Sequence, residues 1–154
     1  MKDQNKLVTL YTPEGEALKS APSGHIPWDI YPRPRMKRDS FLCLNGEWDF
    51  ATNTDGKIPD TFTEKIIVPF CPQSVLSGIN RLIPDDEFLI YKKEFTLPDG
   101  FNKGEVLLHF GAVDQIAKIY LNGKFVIEHH GGYEPFTCCI TDLLQEVNTL
   151  TVVV

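Results

Sequence analysis

Residues 116–130 read IAKIYLNGKFVIEHH. Two runs rich in β-branched and aromatic residues flank Asn122-Gly123, a pair that supplies both positive-φ positions of a two-residue type I′ hairpin loop. Counting outward from the turn pairs Tyr120 with Phe125 on one face and Ile119 with Val126 on the other. Both faces are therefore apolar. One belongs to a core. The other is either a second contact surface, for instance with another domain, or a plain aromatic cross-strand pair.

The same period-2 pattern extends in both directions. Trp48 and Phe50 alternate with Glu47 and Asp49 after a turn at Asn45-Gly46, and Lys65 to Val68 is β-branched and stops at Pro69. Leu89, Tyr91, Phe95 and Leu97 share one parity; Val106, Leu108 and Phe110, then Leu150, Val152 and Val154, repeat the alternation. The only helix signal is one turn near Thr141 to Gln145, with Thr141 as its cap. No stretch supplies the roughly 10–12 residues of amphipathic helix that a βαβ unit needs. The expected fold class is all-β, a β-sandwich over 41–154. Residues 1–40, which hold Pro13, Pro22, Pro27, Pro32 and Pro34, read as an extended Pro-rich arm.

Composition limits the function classes. The chain has 154 residues, 15 basic and 21 acidic, with net charge −6. That is one domain, too short for a (β/α)8 barrel of about 250 residues. The acidic balance argues against nucleic acid as a partner. No apolar run approaches the ~18 residues of a membrane span, and Met1 to Leu10 lack the apolar core of a signal peptide. A cytoplasmic chain with neither nucleic acid nor membrane as partner is expected. Arg33, Arg35, Lys37 and Arg38 are expected to form ion pairs with the domain body or with a neighbouring one. The strand pattern from Asn148 to Val154 stops without a turn or polar tail, which suggests the front piece of a longer polypeptide.

Sequence signals for chemistry are few. Phosphate-loop, HExxH, GxSxG and CxxC patterns are absent. Cys43, Cys71, Cys138 and Cys139 are too few and too irregular for a disulfide framework. Cys138 and Cys139, adjacent on a strand, face opposite ways, as do His129 and His130, an exposed-looking pair. No metal site and no cofactor are expected. Asp85-Asp86-Glu87 and Asp99 read as solvated turn charges. Asp114 stands apart, in the tight Gly111 to Gln115 connection between two core strands. Its carboxylate either bonds local backbone as a turn residue or is held for a ligand at one end of the sandwich.

The order of motifs resembles glycoside hydrolase family 2. The series starts with Arg38-Asp39-Ser40-Phe41, Leu44-Asn45-Gly46 and Trp48, then Val68-Pro69-Phe70 with Pro72 and Ser74, and Leu76-Ser77-Gly78. It continues through Tyr91, Phe95 and Leu108 to Asp114 with Ala117, then Asn122-Gly123 and Gly131-Gly132-Tyr133 with Pro135-Phe136. Ile140-Thr141, Leu144, Asn148 and Leu150 complete it. It covers roughly residues 30–154, the family's N-terminal sugar-binding domain. Ile90 before Tyr91, Lys92-Lys93, Gln73 and Cys139 depart from the family's usual residues and leave fine contacts open.

The resemblance implies a jelly-roll β-sandwich, galactose-binding-domain-like, ahead of immunoglobulin-like and (β/α)8 barrel domains. It implies that the parent hydrolyses β-glycosides with retention, using two glutamates on the barrel. Neither glutamate lies in these residues, so no catalytic residue is assigned here and the segment alone is expected to be inactive. It implies further that Asp114 is a substrate-binding residue reaching toward the pocket. Tyr133 is then either a sugar-stacking ring or, with Phe136, an anchor of its loop. Residues 1–77 carry net −1 and residues 78–154 net −5, a balance that suits a neutral galactoside better than an anionic glucuronide. A β-glucuronidase or β-mannosidase parent, a stand-alone carbohydrate-binding module and a structural module that forms homo-oligomers are the alternatives.

Overall fold

The computed structural model describes residues 11–22 and 24–154. Its strands are β1 (Gly46–Asn53), β2 (Glu64–Val68), β3 (Phe88–Phe95), β4 (Leu107–Phe110), β5 (Ile116–Leu121), β6 (Lys124–His130), β7 (Phe136–Cys139) and β8 (Asn148–Val153). Every pairing is antiparallel. Six strands form one sheet in the order β2-β1-β3-β8-β5-β6, and β4 pairs with β7 in a second. The expected all-β sandwich is the fold.

Alternation builds the core. Phe50, Tyr91, Val152, Ile119 and Ile127 lie side by side across five strands of the large sheet. Leu108, Phe136 and Cys138 of the small sheet belong to the same cluster. Burying a side chain as completely as Phe50 stabilises by about 1.5–3 kcal/mol. Tyr91 packs on Phe50 with the rings tilted at 59° and their centroids 5.1 Å apart, and burial pushes its phenol well above its ordinary pKa. β8 lies in the middle of the large sheet, and both of its faces are buried: Leu150 and Val152 on one, Thr151 and Val153 on the other.

The hairpin forms as the sequence indicates, with φ of 51° at Asn122 and 76° at Gly123. Tyr120 faces Phe125 edge-on at 5.7 Å. Ile119, however, pairs with Ile127 rather than Val126. A bulge shifts the register between Ile119 and Tyr120 and gives β6 one extra residue. The turn after β7 is a 3₁₀ turn over Thr141–Leu143 that Thr141 does not cap. The Thr141 hydroxyl instead accepts from Val106 N at 2.8 Å, tying the turn to the start of β4.

The arm departs from the extended reading. A helix, α1 (Pro13–Lys19), starts at Thr12, whose hydroxyl accepts from Gly15 N, with Pro13 at its first position and an ion pair of Lys19 with Glu16 at 2.8 Å. Its seven residues fall below the length at which periodicity signals a helix, but Thr-Pro at the start is a capping signature. Expectations that rest on Met1 to Leu10 lie outside the described residues. Arg33, Arg35, Lys37 and Arg38 are all exposed, and none forms an ion pair among the described residues. Nearby Asp29 and Asp39 are exposed as well, and solvation competes successfully with a weak surface pair.

Two asparagines fasten the last strand. The fully buried Asn148 accepts from Gln145 N at 2.8 Å and donates to Gln145 O at 2.9 Å. Asn122 donates to Asn148 Oδ1 at 3.1 Å and to Leu143 O at 2.8 Å, and accepts from Thr149 N at 2.8 Å. Replacing Asn148 by Ala strands several of these groups, so urea unfolding should show a stability loss of about 2–4 kcal/mol. A loss within the error of the measurement would contradict the clamp.

Candidate functional site

The site is assembled where the two sheets meet at one end of the sandwich. β4 ends at Phe110 and β5 starts at Ile116, so Gly111–Gln115 carries the chain from the small sheet to the large one. β6 ends at His130, opposite Ile116, and Gly131 N donates to Gln115 O at 2.9 Å. These pairings bring Asp114 beside Gly131-Gly132.

A stack of three rings forms the floor under both loops. Phe136 lies between Phe110, at 4.7 Å and 12°, and His129, at 4.1 Å and 16°. Phe110 comes from β4, Phe136 from β7 and His129 from β6, so the stack joins the sheets directly beneath the loops that follow or precede those residues. His129 thus turns inward and is half-buried, against the exposed reading, and its Nε2 has no hydrogen-bond partner among the described residues. His130 points the other way and bonds Glu128 at 2.7 Å. That bond, with Lys118 adding to it, holds the Glu128 carboxyl below its ordinary pKa.

Asp114 is exposed, and the Asp114–Gln115 peptide is cis. Its carboxylate has no hydrogen bond or ion pair among the described residues, so it is not spent on capping the local turn. It rests instead against Gly132. A Cβ built on Gly132 would come within 2.6 Å of Asp114 Cγ and 2.9 Å of Asp114 Cβ. The two glycines therefore serve different ends. Gly131 adopts a φ of 127° that favours glycine, whereas Gly132 leaves room for the carboxylate. A Gly-Gly pair suggests a bend, but nothing local in the sequence says which side chain needs the space.

Phe136 anchors the loop as expected, but Tyr133 does not; it is 93% exposed. The cysteines take opposite faces of β7: Cys138 is buried, which pushes its thiol up, and Cys139 is exposed beside the Thr141 hydroxyl at 3.3 Å. Among the described residues no group of three His, Cys, Asp or Glu side chains is placed to hold a metal ion.

Residues 80–154, which contain Asp114, Asn122, the glycine pair, Tyr133 and Asn148, match the family model described as the glycosyl hydrolase 2 galactose-binding domain-like domain. A β-galactosidase of Thermoanaerobacter pseudethanolicus is 41% identical over 58 residues, 38% of this chain and 8% of that protein. Among solved structures, the β-glucuronidase of Faecalibacterium prausnitzii superposes with a TM-score of 0.62 at 31% identity, covering 80% of this chain and 22% of its own. A β-D-mannosidase from Dictyoglomus thermophilum gives 0.59 at 30% identity, with coverages of 73% and 15%. The chain thus spans less than a quarter of each of these three proteins. Residues 80–154 thus carry the glycosyl hydrolase 2 galactose-binding-like domain, and the sandwich and the ordered motifs of the rest of the chain are similar to the same family.

Proposed function

We propose that this domain forms part of the pocket rim of a retaining β-glycosidase, with a β-galactoside as the preferred substrate and Asp114 as a substrate-binding residue. The observation that carries the proposal is an exposed carboxylate left free by its own loop and seated on a glycine. An ionised carboxylate accepts hydrogen bonds from sugar hydroxyls more strongly than a neutral acceptor does. Held on a short connection above a rigid ring stack, it fixes the orientation of the terminal sugar relative to catalytic groups on the barrel of the parent chain. The proton-transferring and nucleophilic carboxyl groups belong to that barrel, and the immunoglobulin-like and barrel domains are the domain's partners.

Support for a neutral sugar comes from charge. Glu134 is exposed two residues beyond Gly132, and neither it nor Asp114 has a cationic partner among the described residues. A uronate carboxylate brought to this rim would meet like charge.

In the full-length enzyme, Asp114→Ala should lower kcat/KM for a chromogenic β-galactoside roughly 10- to 100-fold, as expected for a hydrogen bond to a charged group. Gly132→Ala should act in the same direction with Asp114 chemically intact, because the new Cβ displaces the carboxylate. Unchanged kcat/KM in Asp114→Ala removes the assignment. Faster turnover of a β-glucuronide or β-mannoside than of the galactoside by the wild type replaces the sugar named here. The purified 154-residue chain should hydrolyse none of them, and genuine turnover by it would place catalytic groups within this domain.

A further inference from the structure

Tyr133 is the most exposed large hydrophobic side chain among the described residues, at 93%. Its phenol ring has no aromatic neighbour and no hydrogen bond among them. It is nevertheless mounted on a firm base. Gly131 is bonded to Gln115, the next ring along the chain is the buried Phe136, and Phe136 is clamped between Phe110 and His129. Pro135 fixes one φ between them. A loop built this way holds an aromatic ring out from the end of the sandwich rather than tucking it in.

Its neighbour gives the ring a ligand class. Gly132, against which Asp114 rests, directly precedes Tyr133, so the Tyr133 Cα lies within about 8 Å of the Asp114 carboxyl carbon. A hydrogen-bond acceptor for hydroxyls and an exposed π face, carried on two adjoining loops, form a combination suited to a glycoside. The ring's negative face attracts the C–H edges of a sugar or the edge of an aryl group. Asp114 is packed against Gly132, whereas the Tyr133 ring is 93% exposed and leans on no other ring among the described residues. The ring therefore meets the part of the ligand that emerges from the pocket.

We infer that Tyr133 is the stacking platform for the leaving-group half of the glycoside, the sugar or aryl ring attached to the terminal sugar bound at Asp114. The inference rests on the functional reading above and adds to it a residue that selects the aglycone.

The test uses slowly hydrolysed inhibitors of the full-length enzyme, methyl and phenyl 1-thio-β-galactosides, with the matching glucuronide and mannoside pairs run alongside. The quantity read is the ratio of the two inhibition constants for whichever sugar the wild type binds. In Tyr133→Ala the preference for phenyl over methyl should fall roughly 3- to 10-fold, the range of an aromatic contact. In Tyr133→Phe, which keeps the ring and loses the hydroxyl, it should stay within about twofold of wild type, since stacking and not hydrogen bonding carries the contact. Circular dichroism of both variants should match wild type. An unaltered ratio in Tyr133→Ala overturns the inference, including the case where both inhibitors weaken equally because the ring packs on another domain. Failure of the wild type to bind any of the six compounds overturns the glycosidase reading itself, and this inference with it.

Discussion

The hydrogen-bonded pair Asn122 and Asn148 is the constraint on which the rest depends. β8 is the last strand in the chain and a central one in the sheet, inserted between β3 and β5. Such an insertion needs its register set by something other than a short turn. The buried Asn148 closes the loop from Gln145, and Asn122 bonds the backbone of Thr149 through both its side chain and its own amide. One contact thus fixes where β8 starts and where the β5–β6 hairpin turns. Buried amides with their hydrogen bonds made rigidify a fold, because each would be costly if left unpaired.

The far end of the same hairpin carries the candidate site. With the turn pinned at Asn122, the pairing of Ile116 with His130 sets the separation of Gln115 from Gly131. The ring stack of Phe110, Phe136 and His129 then ties the small sheet to the large one at that end. Asp114 and Tyr133 are exposed, yet each is one short step from a residue in this framework. Exposure on a rigid base is what a binding rim requires, since a ligand then orders little on arrival.

Much of the fold was legible because period-2 alternation is a direct trace of a half-buried sheet. Trp48, Phe50, Leu108 and Leu150 all face the core as that pattern requires. The bulge at Ile119 escaped, since an extra residue in an apolar strand leaves no mark when both neighbours are apolar. The helix over Pro13–Lys19 escaped because seven residues complete no second turn of pattern; only Thr12 and Pro13 announced it. At the site, the position of Asp114 in a short connection was visible. Its seat on Gly132 was not, because that contact joins residues 18 apart in sequence through the pairing of two strands. The choice between the two roles of Tyr133 is illegible for a related reason: in Tyr-Glu-Pro-Phe either aromatic can turn inward, and only the ring stack shows that Phe136 does.

Contact between Asp114 and the terminal sugar is the central requirement of the proposed pocket rim. The most direct measurement is a crystal structure of the full-length enzyme with a 1-thio-β-galactoside bound. An Asp114 carboxylate oxygen should lie about 2.5–3.0 Å from a hydroxyl of the terminal sugar, the ordinary range of such a bond. A sugar seated in the pocket with none of its hydroxyls within hydrogen-bonding distance of Asp114 would contradict it.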